Sequence, residues 1–390
     1  MKVCLITGEF PPMQGGMGDF TSEVGKALAK LGAEVSVITS FKGQGHGISE
    51  SLAVHPLIVS WGWKSWGPIL RALKREAPHV VNIQYQAAAY GMHPAINFLP
   101  LRLHFFKNRP KVVVTFHDLK TPYLFPKAGA LRWWVILALV RWSDAVIVTN
   151  LEDLLRLRDA APHPPYPQAH LIPIGSNIAP HLPPGYSRDA WRARWGVRPE
   201  GILLSYFGFL NESKGGETLI RALARLVKMG RDVHLLMVGG KVGSSDPTNL
   251  AYARKVEALI EEMGLAGRVL WTGYTEANEV SANLVASDIC VLPYRDGASF
   301  RRGSFMAALA HGLPIISTRP RVVLPELEDG QNLALVPPDA PDALAEKIMA
   351  LADSPSLRAR LAQGAEELGR SFSWESIAEK TLTLFRHLKN

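Results

Sequence analysis

The chain alternates short apolar runs with stretches in which apolar residues recur at helical spacing. The clearest case is residues 202–240, where the apolar run Ile202–Phe207 precedes a polar, glycine-rich loop. A helically periodic stretch and a second apolar run, Val233–Val238, follow. Such runs predict buried strands, and the periodic stretch between them predicts a helix. Residues 202–240 are therefore predicted to form a βαβ unit with two parallel strands.

The same pattern opens the chain. A strand is predicted at Lys2–Thr7, a helix from about Asp19 to Leu31, and a strand at Glu34–Thr39. The second strand begins 31 residues after the first in both units, counted from Val3 and from Ile202. Two such openings predict two doubly wound α/β domains in tandem.

Further apolar runs complete two parallel sheets. In the first half, strands are predicted at His79–Tyr85, Lys111–Phe116, Ala145–Thr149 and His170–Ile174; in the second half, at Val269–Gly273, Ile289–Pro293, Pro314–Thr318 and Leu333–Val336. The last three periodic stretches predict helices at Pro341–Leu351, Leu357–Gly369 and Trp374–Leu388. Two proline-rich segments, 161–167 and 180–186, cannot form regular elements and place the hinge near residue 180. The predicted domains are residues 1–180 and 181–373.

Composition and charge fit a globular protein of two domains. The 390 residues are 47% hydrophobic and 20% charged, and the net charge is +8. Residues 1–180 carry 18 Lys and Arg against 11 Asp and Glu, so +7 of the net charge lies in the first half. This excess favours an anionic membrane surface or a phosphate-bearing acceptor, and a basic surface without a partner explains it equally well. Nucleic acid is disfavoured because the basic residues are scattered without a recognition motif.

The location expected from the sequence is the cytoplasm, with peripheral contact at the inner membrane face left open. The two cysteines, Cys4 and Cys290, lie in separate apolar runs and are typical of core thiols in a reducing compartment. The chain begins directly with a strand, without the apolar stretch of a signal peptide. The most apolar helical stretch, Leu131–Val140, is too short to span a bilayer.

Lys214, Gly215 and Gly216 stand between the first strand and the helix of the 202–240 unit. A helix N-terminus there presents unpaired N–H groups and the positive end of its dipole. Glycines allow close backbone approach, and a fixed cation beside them suits a diphosphate. The alternative is a solvated lysine at a helix start.

A second anion site is predicted in the segment 294–318. Arg301, Arg302 and Gly303 immediately precede a helix predicted from about Ser304 to His311. Two guanidinium groups at a helix N-terminus are suited to bind phosphate.

Two other chemistries fit the sequence poorly. A nicotinamide dehydrogenase requires a tight GxGxxG turn and an acidic residue for the ribose, but the loop Gly8–Gly18 is too long and the next strand ends in Thr39 and Ser40. A metal-dependent transferase requires carboxylates or His/Cys clusters at ligand spacing, and the sequence contains no Asp-x-Asp. No metal and no cofactor are therefore expected.

Four segments together resemble the landmarks of family 4 glycosyltransferases with the GT-B fold: GEFPPMQGGMGDF, FGFLNESKGGETLIRAL, GYTEANEVSANLVASDICVLP and GSFMAALAHGLPIIST. The resemblance covers nearly the whole chain and implies two Rossmann-like domains facing across a cleft. It further implies metal-independent hexosyl transfer from a nucleotide sugar, bound by the second domain, to a hydroxyl acceptor held by the first, with retention at the anomeric carbon. The final helix, in residues 374–390, would return to the first domain.

The resemblance also assigns roles by position. Gly15, Gly16 and Gly18 match the family's first-domain glycine loop, which approaches the donor phosphates. Lys214 matches the lysine that binds the diphosphate, and His117 matches the histidine near the reacting sugar; these two are the expected catalytic residues. The remaining donor-binding residues are expected to be Gly208, Tyr274, Ser299, Arg301, Arg302, Gly303 and Ser304.

Three positions depart from the family pattern. Phe209 replaces the arginine that usually follows the glycine matching Gly208, and Ser299 and Ala307 replace two glutamates spaced by eight positions. Loss of a ribose carboxylate weakens recognition of the donor's nucleoside by about 1 to 3 kcal/mol. These changes keep a GT-B epimerase or phosphorylase open, and likewise a catalytically silent binding subunit.

The acceptor is the least defined partner. Gln84, Tyr85 and Gln86, at a predicted strand end, are the candidate acceptor-binding residues, and the tryptophans of 61–66 could line a sugar or lipid site. The alternative for both sets is packing within the first domain. A glycan, a lipid-linked sugar or a small molecule each remains open.

Overall fold

The computed structural model describes residues 1–13, 15–43, 51–119, 131–240 and 247–389. The chain folds into two compact units: unit 1 contains Met1–Asn177 and Trp374–Asn390, and unit 2 contains Ile178–Ser373. Unit 1 is thus discontinuous in sequence, because the chain completes unit 2 before its last helix joins unit 1.

Unit 1 contains a seven-stranded parallel sheet. Its strands are β1 (Lys2–Thr7), β2 (Glu34–Ser40), β3 (Leu52–Ile58), β4 (Val80–Tyr85), β5 (Lys111–Phe116), β6 (Ala145–Val148) and β7 (Ala169–Leu171). Their spatial order is β3-β2-β1-β4-β5-β6-β7. The winding direction reverses between β1 and β4, and open α/β sheets bind ligands outside the carboxyl ends of strands at such a switch point.

The helices of unit 1 are α1 (Gly16–Lys30), α2 (Trp66–Glu76), α3 (Leu99–His104), α4 (Leu131–Arg141), α5 (Leu151–Ala160) and, from the end of the chain, α13 (Trp374–Lys389). The last of these packs against α1, where Leu382 and Phe385 are buried with Val24 and Leu28. Burial of these apolar side chains is the main force that attaches α13 to unit 1.

Unit 2 contains a six-stranded parallel sheet. Its strands are β8 (Ile202–Phe207), β9 (Val233–Val238), β10 (Val269–Gly273), β11 (Ile289–Leu292), β12 (Ile315–Thr318) and β13 (Ala334–Val336), in the order β10-β9-β8-β11-β12-β13. Its switch point lies between β8 and β11. The helices are α6 (Arg188–Arg194), α7 (Gly216–Lys228), α8 (Pro247–Glu262), α9 (Ala277–Ala286), α10 (Gly303–Ala310), α11 (Pro341–Ala352) and α12 (Pro355–Arg370).

Both sheets are buried on both faces, which explains the unbroken apolar runs in their central strands. All six residues of β4 are buried, as are all four of β11. The two cysteines lie in these cores, and burial raises the pKa of each thiol to about 12. Both thiols therefore stay protonated and unreactive at neutral pH.

Candidate functional site

Each unit places its chemistry-bearing loops at the switch point of its own sheet. In unit 2, the loops after β8 and β11 and the first helical turns that follow contain residues 208–216 and 299–304. In unit 1, the loop after β1 and the first turn of α1 contain the glycines of 15–18, and His117 follows β5.

The loop between β8 and α7 can be built only with glycine at two positions. Gly208 and Gly215 adopt positive φ angles of 108° and 70°, a region that side chains rarely enter. A Cβ on Gly215 would lie 1.9 Å from the carbonyl oxygen of Pro293, at the end of β11. This close approach brings the first turn of α7 against the strand end, and its N-cap residue, Gly215, has no side chain to cap it. The Tyr252 hydroxyl accepts a hydrogen bond from the Glu217 N–H at 3.2 Å, so an anion bound at this turn would share or displace that contact.

Lys214 places its ammonium group over the end of β8. The Nζ atom is 2.9 Å from the position that a Cβ on Gly208 would occupy, with Ser304 next to it. Burial, and then the positive charge of Arg302, lower the pKa of Lys214 to about 8. Among the described residues no carboxylate forms an ion pair with it. Burial disfavours the charged ammonium form of Lys214, and no carboxylate compensates for it. This arrangement is typical of a lysine that binds an anionic ligand.

Arg302 is held differently from what the sequence suggests. Its guanidinium group donates to both carboxylate oxygens of Asp296, and two of its nitrogens lie 3.3 Å from Ser213 Oγ. The group also stacks 4.9 Å from the centroid of the Tyr294 ring. Asp296 offsets part of its charge. Arg301 is exposed, and the binding of an anion by the two arginines stays a prediction.

The other predicted donor-binding residues of unit 2 differ in exposure. Ser304 is buried, and its hydroxyl is 2.7 Å from that of Tyr294. Ser299 is half-buried and accepts a hydrogen bond from Arg302 N through its carbonyl oxygen. Gly303 is the first residue of α10, and a Cβ there would meet open space. Tyr274 is 78% exposed, so its ring is available to a ligand.

Two of the departures from the family pattern have different surroundings. Phe209 is 46% exposed beside the β8 loop, whereas Ala307 is fully buried inside α10. A side chain at position 209 can therefore reach a ligand. A larger side chain at position 307 cannot, because it would displace the core.

Two carboxylates that were not predicted from the sequence, those of Glu9 and Asp19, lie at the glycine loop of unit 1. A Cβ on Gly15 would lie 2.0 Å from Glu9 Oε2, and one on Gly18 would lie 3.2 Å from the Glu9 backbone, whereas Gly16 borders open space. Burial, and then the negative charge of Asp19, raise the pKa of Glu9; burial, and then the charge of Glu23, raise that of Asp19. Both acids lie within the motif GEFPPMQGGMGDF, one before and one after the glycines. That position in the sequence could have identified them.

His117 is fixed by a chain of buried polar groups. Its Nε2 is 2.9 Å from Gln84 Oε1, and the Gln84 amide nitrogen donates to Asn82 Oδ1. The Asn82 amide nitrogen donates in turn to Thr115 Oγ1, at 2.9 Å. Since Gln84 Oε1 can only accept, Nε2 carries the proton and Nδ1 carries the lone pair. Burial lowers the pKa of His117 to about 4, so the ring is neutral at pH 7.

Aromatic rings support His117 from the other side. The Phe20 ring meets the imidazole edge-on, with centroids 4.7 Å apart, and the Trp374 ring packs against Phe20 at 5.3 Å. The Trp374 indole nitrogen donates to the carbonyl oxygen of Ser176, at 2.8 Å. The first residue of α13 therefore braces the histidine through one intervening ring.

The predicted acceptor-binding roles of Gln84 and Tyr85 are contradicted by their burial. Gln84 is 1% exposed and is used by the His117 chain, while Tyr85 is fully buried and bonded to Asn97. Their strand is central in the sheet, so both of its faces are covered. Gln86 is half-buried, and its amide nitrogen lies 3.4 Å from Asp118 Oδ2. Of the three, only Gln86 has side-chain surface for a ligand.

Within the described ranges, no three His, Cys, Asp or Glu side chains lie close enough together to hold a metal ion. No helix in the same ranges combines the length and the apolar character needed to cross a membrane.

Two family models match the chain. Residues 14–178 match "Glycosyltransferase Family 4", and residues 201–354 match "Glycosyl transferases group 1". The matches fall in unit 1 and unit 2 respectively and together cover most of the chain.

Curated relatives and solved structures agree with these matches. The chain is 26% identical to a D-inositol 3-phosphate glycosyltransferase of Corynebacterium efficiens, over 99% of this chain and 95% of the relative. It is 30% identical to the enzyme of the same name from Xylanimonas cellulosilytica, over 62% of this chain and only 57% of the relative. A sucrose-phosphate synthase from Thermosynechococcus elongatus gives a TM-score of 0.75 at 23% identity, covering 99% of this chain and 98% of that one. The structure of Anabaena HepE in complex with UDP gives a TM-score of 0.77 at 17% identity, covering 99% of this chain and 100% of that one. The chain therefore belongs to the group 1, family 4 glycosyltransferases and has the GT-B fold, as the sequence predicts.

Proposed function

We propose that the chain transfers a hexose from a nucleoside diphosphate sugar to a hydroxyl group, with retention at the anomeric carbon and without a divalent cation. The observation that carries the proposal is Lys214, a half-buried ammonium group over the β8 strand end, beside the first turn of α7. A diphosphate bound there would meet a fixed cation and backbone N–H groups together. The solved HepE complexes with UDP and UDP-glucose support a nucleotide-sugar donor.

The reaction needs charge stabilisation on the departing diphosphate. As the bond between the anomeric carbon and the phosphate oxygen breaks, Lys214 and the N–H groups of α7 stabilise the growing negative charge. The acceptor oxygen forms its bond to the anomeric carbon on the same face, and its proton passes to the leaving phosphate oxygen. No enzymatic nucleophile is required. Lys214→Ala is expected to lower kcat/KM by about a hundredfold or more.

His117 is proposed to act as a hydrogen-bond acceptor near the sugar. Its neutral ring presents the Nδ1 lone pair, and the Gln84 contact prevents the other tautomer. A hydroxyl of the donor or the acceptor can donate to that atom. If His117→Ala and the wild-type protein are equally active with the same donor, this histidine only packs and takes no part in the reaction.

The acceptor side is proposed to involve Glu9 and Asp19. Their oxygens can accept hydrogen bonds from a polyol, and raised pKa values are typical of groups at functional sites. The glycines 15, 16 and 18 remain proposed phosphate contacts, although the Glu9 carboxylate disfavours an anion at Gly15 itself. The acceptor screen should begin with D-inositol 3-phosphate, which is in the names of the curated relatives.

Peripheral contact between unit 1 and an anionic membrane also remains a proposal. It is supported by the basic excess of residues 1–180 and by two exposed indoles, Trp63 and Trp134, which are 50% and 58% exposed and both near Phe98. Trp61 and Trp66 are instead packed against the core. Pelleting with vesicles that contain or lack anionic lipid tests this contact.

The decisive test is a thermal-shift screen against UDP, GDP, ADP and their sugars. A ligand at about a hundred times its dissociation constant adds about 2.7 kcal/mol to the free energy of unfolding. The anomeric configuration of the product is then read by NMR, with EDTA present. Donor consumption without an acceptor would indicate an epimerase. A requirement for phosphate would indicate a phosphorylase, and nucleotide binding without turnover would indicate a catalytically silent subunit.

A further inference from the structure

A cavity of about 720 Å³ lies in unit 1, away from the candidate site. It is formed by the end of α2, the residues before β4, the segment 105–111 that leads into β5, and the end of α13. Six of its lining residues are cationic: Lys74, Arg102, Lys107, Arg109, Lys111 and Lys389. Among the described residues that line it, none is Asp or Glu. We call it the basic pocket.

One cation of the basic pocket is held by a carboxylate from outside it. Arg109 Nη2 donates to Asp144 Oδ2 at 2.8 Å, and the same oxygen accepts from the backbone N–H of Val112 at 2.7 Å. This pair fixes the segment that enters β5. It leaves Arg109 Nε buried without a hydrogen-bond acceptor. The other five cations form no ion pair within the described part of the chain.

Helix dipoles explain only part of this clustering. Lys74, Arg102 and Lys389 lie in the last turns of α2, α3 and α13, where a cation stabilises the negative end of a helix. Lys107 and Lys111 lie in a loop and at a strand start, so this explanation does not apply to them. Like charges around one cavity repel each other, and a bound anion would relieve that repulsion.

The basic pocket is separate from the candidate site because it lies at the opposite edge of the sheet. Lys111 begins β5, and His117 follows the last residue of that strand. Strands rise about 3.3 Å per residue, so the two edges are about 20 Å apart. Binding in the basic pocket therefore does not depend on the proposed glycosyl transfer.

We propose that the basic pocket binds a multiply charged anion that carries phosphate groups. Its volume is within the range of about 300 to 1,000 Å³ found for small-molecule sites. Lysine and arginine side chains from separate elements can each meet a different phosphate oxygen. Phe105, at the rim, is 74% exposed and would contact an apolar portion of the ligand. A free polyphosphorylated compound and the headgroup of an anionic lipid both present this chemistry.

The test measures tripolyphosphate binding by calorimetry in the Lys214→Ala background, which removes the main cation of the candidate site. The pocket variant is Lys107→Gln with Lys389→Gln. The matched control is Lys30→Gln with Arg71→Gln, which removes the same charge from exposed positions elsewhere in unit 1. All four side chains are exposed, so neither variant should change the folding of unit 1. A parallel arm pellets each variant with vesicles of equal parts phosphatidylcholine and phosphatidylglycerol.

The proposal predicts that tripolyphosphate binds about tenfold more weakly to the pocket variant, with the control unchanged. Added salt should weaken the binding further. Loss of vesicle pelleting in the pocket variant alone also supports the proposal and identifies a lipid headgroup as the source of the anion. Pocket-dependent tripolyphosphate binding without pocket-dependent pelleting identifies a soluble ligand. If the pocket and control variants bind both probes equally, the cluster is only a solvated basic surface and the proposal is overturned.

Discussion

Replacing Lys214 by methionine should stabilise the free protein while removing its affinity for nucleotide. The buried environment disfavours the ammonium form, which lowers the pKa of Lys214 from 10.5 to about 8. Methionine keeps a similar length and volume but carries no charge to desolvate. The same substitution deletes the cation that we propose to meet the diphosphate.

The size of the gain follows from the pKa shift. One pKa unit corresponds to about 1.4 kcal/mol, so the fall from 10.5 to about 8 sets an upper bound of about 3.5 kcal/mol. Solvent screening of the half-buried group reduces this to about 1 to 3 kcal/mol. The sign is fixed by linkage: the unfolded chain binds the proton more tightly, so this penalty is complete below pH 8. The penalty decreases as the pH rises from about 8 to 10.5, and the advantage of Lys214→Met should shrink over that window.

The assay is thermal unfolding of both proteins at pH 7 and pH 10, with and without UDP. A domain of this size shifts its Tm by roughly 2 to 4 °C per kcal/mol. Lys228→Met is the matched control, because Lys228 is exposed at the end of α7. A wild-type or lower Tm at pH 7 would refute the burial argument. UDP stabilisation equal to that of the wild-type protein would refute the assignment of Lys214 to the diphosphate.

Three further outcomes are expected. Gln84→Glu places a carboxylate 2.9 Å from His117, which should raise the pKa of that histidine above about 4 and move the acidic limb of the pH–rate profile to higher pH. An NMR titration of His117 that is the same in this variant and in the wild-type protein would contradict the contact between Gln84 and His117. Gly215→Ala forces a Cβ against the carbonyl oxygen of Pro293 at a positive φ, so the free energy of unfolding should fall by at least about 2 kcal/mol. A denaturation midpoint equal to that of the wild-type protein would exclude the clash. Prolonged dialysis against EDTA should leave turnover unchanged, and recovery only on adding Mg²⁺ or Mn²⁺ would show that a metal takes part.

The central strands were the most predictable part of the fold. β8 and β9 have the predicted bounds because strands covered on both faces appear as continuous apolar runs. β3 escaped prediction because it contains Pro56 and lies at the sheet edge, where a proline need not break the ladder. α2 was also missed: Gly67 and Pro68 suggest a loop, yet both lie in its first turn, where a missing N–H is tolerated.

The candidate site was predictable in its loops but not in its side-chain pairings. Lys214 and the glycines beside it are marked by their place between a strand and a helix. The Arg302 to Asp296 pair joins residues six positions apart across a loop, and no sequence period indicates it. The burial of Gln84 and Tyr85 depends on which strands flank β4, which the sequence alone does not give. The same dependence on tertiary structure hides the contact of Glu9 with Gly15.

The return of α13 to unit 1 has a consequence for synthesis on the ribosome. Trp374, which supports Phe20 and through it His117, is translated only after the roughly 200 residues of unit 2. At about 5 to 20 residues per second, the nascent N-terminal segment waits roughly 10 to 40 s with the apolar face of α1 uncovered. During that interval the polypeptide already contains His117 yet lacks the helix that sets this histidine in place. The brace on His117 therefore forms only after unit 2 has been translated.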